Sequence, residues 1–190
     1  MKKKTFFTTI LISLFFVLTA FGQRETYTGT AIIYGSGFNT RTVTRTFTLN
    51  INGQTSDQKA EGFLEILQSS GQDDLLKQIG KENLGNFSLG GNLARTVNVV
   101  RESSVDGKKR IFAVFERWLN FGEIRGGYRS VDYPFSVIEM YVDERTGRGD
   151  GTFIPAARVR FRTDKNSGQN TVEIENFATF PAKLIGVRRR

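Results

Sequence analysis

Apolar and polar residues alternate along most of this chain. In residues 40–51, Val43, Phe47, Leu49 and Ile51 fall on one side, and Thr40, Thr42, Thr44, Thr46 and Thr48 fall on the other. A period of two is the signature of a strand with one buried face. Threonine suits the solvent face of such a strand, so a special role for the hydroxyl row is not required. The same alternation recurs in residues 25–35, 94–104, 108–118, 135–144, 151–162, 171–177 and 182–187. About seven or eight strands with mostly short connections predict a mainly β protein, an antiparallel meander curled into a barrel or a two-layer sandwich.

The period changes once. Thr55 followed by Gln58 has the form of a capping box, and Ala60, Phe63, Leu64 and Leu67 then recur at the spacing of one helical face. Asp73 and Asp74 open a second short helix, with Leu75, Leu76 and Ile79 as its apolar side and Gly80 as its stop. The two short helices, at about residues 56–80, are inserted after the second strand and are expected to cover one face or end of the sheet.

Local motifs refine this picture. Asp106-Gly107 between two alternating segments is a hairpin signal. Gly147 to Gly151 contains Arg148-Gly149-Asp150, whose glycines and aspartate are read as a turn. Phe153, Ala157, Val159 and Phe161 are expected to share one apolar face, leaving Arg158, Arg160 and Arg162 on the other. Pairing Val159 and Phe161 with Val172 and Ile174 sets those arginines opposite Glu173 and Glu175, a cross-strand charge ladder.

The amino terminus reads as a secretory signal. Lys2, Lys3 and Lys4 precede an uncharged run ending in Ala20 and Gly22, so cleavage is expected after residue 22. The run is too short and too interrupted for a membrane span, which needs about 20 apolar residues. No transmembrane anchor is expected after cleavage, and the destination is the periplasm or the medium. Residues 23–190 are then expected to form a single β-rich domain. Removing residues 1–22 lowers the formal net charge from +8 to +5. The exported chain is basic and has no cysteine, so it must rely on its own core.

Composition also restricts the chemistry. Without histidine or cysteine, the chain cannot form a Ser-His-Asp triad, a cysteine nucleophile or a thiolate or imidazole zinc site. No metal or cofactor is expected. A carboxylate-dependent enzyme acting on an envelope polysaccharide remains an alternative, with Glu173 and Glu175 or Glu116 and Glu123 as pairs.

One connection departs from alternation. Residues 120–135 carry Glu123, Arg125, Tyr128, Arg129, Asp132 and Tyr133 in a stretch longer than usual for a compact domain. Its arginines suit an anion, its tyrosines a ring, and its acids a hydroxyl. These six are the candidate ligand-binding residues, and the alternative reading is a structural cap. The expected function is an exported, non-catalytic binding or interaction protein of the cell envelope, whose partner is an unidentified small molecule or an envelope glycan. A polyanion-interacting role would instead use Arg158, Arg160, Arg162, Arg188, Arg189 and Arg190. Intracellular nucleic acid is disfavoured by export.

Overall fold

The computed structural model describes residues 24–34, 41–117, 129–163, 170–177 and 180–190. The expected leader at 1–22 and its expected cleavage point lie outside the described residues. In chain order the elements are β1 (Glu25–Ile33), β2 (Val43–Ile51), α1 (Asp57–Ser70), α2 (Gln72–Ile79), β3 (Gly85–Leu89), β4 (Arg95–Val97) and β5 (Val99–Val105). There follow β6 (Lys108–Glu116), a 3-10 turn at Arg129–Asp132, β7 (Phe135–Asp143), β8 (Arg148–Thr163), β9 (Asn170–Asn176) and β10 (Ala182–Arg189).

The strands form one antiparallel sheet in the order β4-β3-β2-β1-β10-β8-β7-β6-β5, with β9 added to the far half of β8. The two outermost strands of that order, β4 and β5, are consecutive in the chain and separated only by Asn98. The sheet therefore curls until its ends meet, giving a nearly closed barrel. Asn98 makes the corner: its N–H donates to the Val114 carbonyl at 3.1 Å, its side-chain N donates to the Glu82 carbonyl at 2.9 Å, and its side-chain oxygen accepts from the Glu116 N–H at 3.3 Å. A buried amide satisfied on both sides lets one segment change partners without stranding polar groups.

Alternation then divides the apolar residues between two clusters. Tyr27, Phe47, Leu49, Phe87, Ile111, Phe115, Ile138 and Leu184 fill the barrel. Val114, Phe135, Val137, Ala157 and Val159 point outward and are covered by Leu67, Leu75 and Ile79 of the helix pair. Each helical side chain so buried contributes about 1.5–3 kcal/mol.

Several expectations need correction. There are ten strands, because residues 94–104 split at Asn98 and because β3 carries only Phe87 as a buried large apolar side chain. The first helix is capped by Ser56, whose hydroxyl accepts from the Lys59 N–H at 3.3 Å, and not by Thr55. Arg148-Gly149-Asp150 lies in β8, where Gly149 pairs with Val142, so the tripeptide is strand and the turn precedes it. Phe153 does not share a face with Ala157 and Val159. The register shifts between Phe135↔Ala157 and Val137↔Ile154, and this bulge sends Phe153 into the barrel and Ala157 outward.

The Asp106-Gly107 hairpin forms as expected, with φ of 50° and 74° at the two turn residues. The β8–β9 register also agrees, with Val159↔Ile174, Phe161↔Val172, Arg158↔Glu175 and Arg160↔Glu173.

Candidate functional site

The strongest candidate lies between the helix pair and the outer wall of the sheet. Two short helices cannot follow the curvature of a barrel wall, and a space of about 190 Å3 remains between them. Ala60, Phe63, Leu64, Leu67, Leu75 and Ile79 form its helical side. Val99, Phe112, Val114, Phe135 and Val159 form its floor, with Val172 and Ile174 of β9 at the edge. Every lining residue is apolar. An apolar cavity of about 150 Å3 is already enough to stay dry and admit a benzene-sized molecule. Leu64 and Val172 are 42% and 41% exposed, so the space reaches solvent between α1 and β9.

Polar contacts tie the start of α1 to the sheet and the start of α2 to the 3-10 turn. At the start of α1, the Thr55 N–H donates to the Val100 carbonyl at 2.8 Å and Arg101 donates to the Thr55 carbonyl at 2.8 Å. At the start of α2, the Gln72 side chain donates to the Asp132 carbonyl at 3.0 Å. Between these ties, the contacts across the space are apolar.

The candidate loop residues have different fates. Glu123, Arg125 and Tyr128 lie outside the described residues, as does the side chain of Arg129, whose backbone opens the 3-10 turn. Asp132 is exposed, and its carboxylate meets the Arg158 guanidinium at 3.0 Å. Tyr133 is 3% exposed and donates to the Glu175 carboxylate at 2.5 Å. Arg158 stands 4.7 Å from the centre of the Tyr133 ring, and Phe177 packs on it at 4.9 Å. Arg117 holds the same turn by donating to the carbonyls of Ser130 and Tyr133, both at 2.8 Å. Asp132 and Tyr133 thus join the turn to α2, β8 and β9 beside the apolar space.

The arginine row is engaged by carboxylates. Arg162 meets Glu173 at 2.6 Å and Arg160 meets Glu175 at 3.4 Å, one step diagonal to the backbone register. At the carboxyl end, Arg188, Arg189 and Arg190 are exposed, and Arg189 approaches Glu25 at 3.7 Å. Of the proposed catalytic pairs, Glu116 is exposed and Glu123 lies outside the described residues.

A second polar group was not anticipated. At the end of the barrel away from the 3-10 turn, Lys109 places its ammonium 2.7 Å from both Glu25 and Glu102. Tyr27 also donates to Glu25, at 2.5 Å, and Gln54 to Glu102, at 2.6 Å. Burial opposes ionisation of Glu25, but the hydrogen bonds from Lys109 and Tyr27 outweigh it and hold the carboxyl below its ordinary range. Burial also opposes charge on Lys109, and the two glutamates overcome it and raise its pKa. Burial and the adjacent Glu25 push the Tyr27 phenol far upward. A carboxyl held ionised beside a cation is a poor general acid, so this group reads as an internal clasp.

Comparison with protein-family models, with curated proteins and with solved structures finds no match to this chain.

Proposed function

We propose that this is an exported, non-catalytic binding protein of the cell envelope, and that its ligand is a small apolar molecule held between the helix pair and the barrel wall. One observation carries the reading: a space of about 190 Å3 with no polar lining residue, reaching solvent past Leu64 and Val172. Unfilled space next to a packed core sacrifices dispersion contacts, so a sequence selected for stability alone would close it. Ligand sites are commonly largely preformed and apolar.

The reading departs from the sequence expectation in position. The ligand space is lined by the helix pair and the outer wall rather than by Asp132 and Tyr133; Asp132 joins the 3-10 turn to α2 and β8, and Tyr133 joins it to β9. Their bonds within the protein support the structural-cap reading of these two residues.

The neutral fluorophore N-phenyl-1-naphthylamine tests the proposal. Its emission should rise on mixing with the protein, and Ala60→Phe, which fills the space from α1, should abolish the rise without unfolding the chain. An unchanged rise in the folded variant would reject the site.

A further inference from the structure

We infer that the ligand of the helix site is a neutral amphiphile, an apolar chain ending in a hydroxyl that donates to Gln72. The inference rests on the proposed function and names the chemistry of the ligand's outer end. A groove of about 440 Å3 adjoins the apolar space where α1 meets α2. Leu67 and Val159 line both. Phe161 of the groove is paired with Val172, which stands at the solvent opening of the space. A chain lying in the space therefore has the groove at its exposed end.

The two compartments differ in polarity. No polar residue lines the inner space, whereas Gln68, Gly71, Gln72, Arg158 and Arg160 line the groove. The cations of the groove are already matched: Arg158 meets Asp132 at 3.0 Å and Arg160 meets Glu175 at 3.4 Å. A charged head would find its counter-charge engaged and would still lose its hydration on entering. A neutral head avoids that cost.

Gln72 supplies the specific contact. Its side-chain nitrogen donates to the Asp132 carbonyl at 3.0 Å, and this bond fixes which end of the amide is the oxygen. That oxygen is buried and has no hydrogen-bond partner among the described residues. A buried acceptor is costly to leave unmade, and here it belongs to a residue that lines the groove. What it lacks is a donor. A hydroxyl at the end of an apolar chain brings one without bringing charge.

Displacement of N-phenyl-1-naphthylamine at neutral pH by 1-octanol, its methyl ether 1-methoxyoctane and octanoate tests the inference. The three share one chain, and only the alcohol is both uncharged and able to donate. It should displace the fluorophore at about fivefold lower concentration than the ether, the ratio expected from one neutral hydrogen bond, and octanoate should be the weakest. Gln72→Met should abolish the difference between alcohol and ether while keeping the fluorophore bound. Equal displacement by alcohol and ether, strongest displacement by octanoate, or an unchanged preference in folded Gln72→Met would overturn the hydroxyl contact. The wild-type comparison decides even if that variant does not fold. A rise in emission with equal displacement leaves the proposed function standing and removes only this inference, whereas no rise at all with the wild type removes both.

Discussion

Thr55 and Val100 hold each other by two reciprocal hydrogen bonds: the Thr55 N–H donates to the Val100 carbonyl at 2.8 Å, and the Val100 N–H donates to the Thr55 hydroxyl at 3.1 Å. The segment between β2 and α1 thereby covers part of the β5 edge, which would otherwise expose unpaired backbone. The same bonds fix where the helix pair begins.

Thr55→Val keeps the shape and removes the acceptor. Thr55 is 4% exposed, so the Val100 N–H would be left buried and unpaired. The expected loss of stability is about 1–3 kcal/mol, read as a lower urea midpoint. A change within error would mean that the edge is not held by this residue.

The clasp at the other end of the barrel predicts a pH response. Glu25 has a depressed pKa, so its contribution is present above the ordinary value of 4.5 and is lost as pH falls through the folded value. Lys109 has a raised pKa, so its contribution is full below 10.5 and is lost as pH rises through the folded value. Stability should therefore have a plateau between these limits and fall on both sides. Lys109→Met removes the ammonium between two partly buried carboxylates and leaves only the more distant Arg189 beside Glu25. That variant should be destabilised at pH 7 and should recover part of the loss near pH 4.5, where the wild type begins to weaken. Parallel urea midpoints for the two proteins across this range would show that Lys109 does not hold the glutamates.

Tyr133 offers a graded test of the latch beside the helix pair. Tyr133→Phe removes the bond to Glu175 and keeps the ring between Arg158 and Phe177, and should cost about 1 kcal/mol. Tyr133→Ala also removes the buried ring and should cost about 3–5 kcal/mol by thermal or chemical denaturation. Equal costs for the two would place the energy in the hydroxyl alone.

Gly149 tests the strand assignment of the Arg-Gly-Asp tripeptide. A Cβ there would stand 2.1 Å from the Tyr141 carbonyl oxygen, which is backbone of the paired strand. Gly149→Ala should therefore destabilise the protein by about 1–3 kcal/mol, the range for forced overpacking. A neutral substitution would point to a free turn.

How far the sequence revealed this arrangement depended on whether the signal was local. Asp106-Gly107 specified its own hairpin, and the stripe through Phe63, Leu67, Leu75 and Ile79 specified two helices, because turn geometry and helical period are written in neighbouring residues. The partner exchange at Asn98 was not readable, since an asparagine between valines gives no sign that it will be satisfied from both sides. The bulge between Phe153 and Ala157 was hidden for a similar reason: alternation continues through Pro155 in the sequence while the backbone inserts a residue. The helix space was the least legible feature. An apolar stripe shows that a face is buried, but the closeness of the fit depends on the curvature of the wall beneath it. Of residues 120–135, only Phe135 lines that space, and Glu123, Arg125 and Tyr128 lie outside the described residues. Composition alone could not show that Tyr133 is buried against Glu175 while the exposed Asp132 meets Arg158 and accepts from Gln72 through its backbone carbonyl.

The central claim is that an apolar molecule occupies the space between the helix pair and the outer wall, and methyl-detected NMR during titration with N-phenyl-1-naphthylamine tests it most directly. The account predicts progressive shifts at the methyls of Leu67, Leu75, Ile79, Val159 and Ile174, which line the space, and still signals from Ile138, Leu184 and Val187 inside the barrel. Shifts confined to the barrel interior, or an unchanged spectrum at saturating probe, would contradict it.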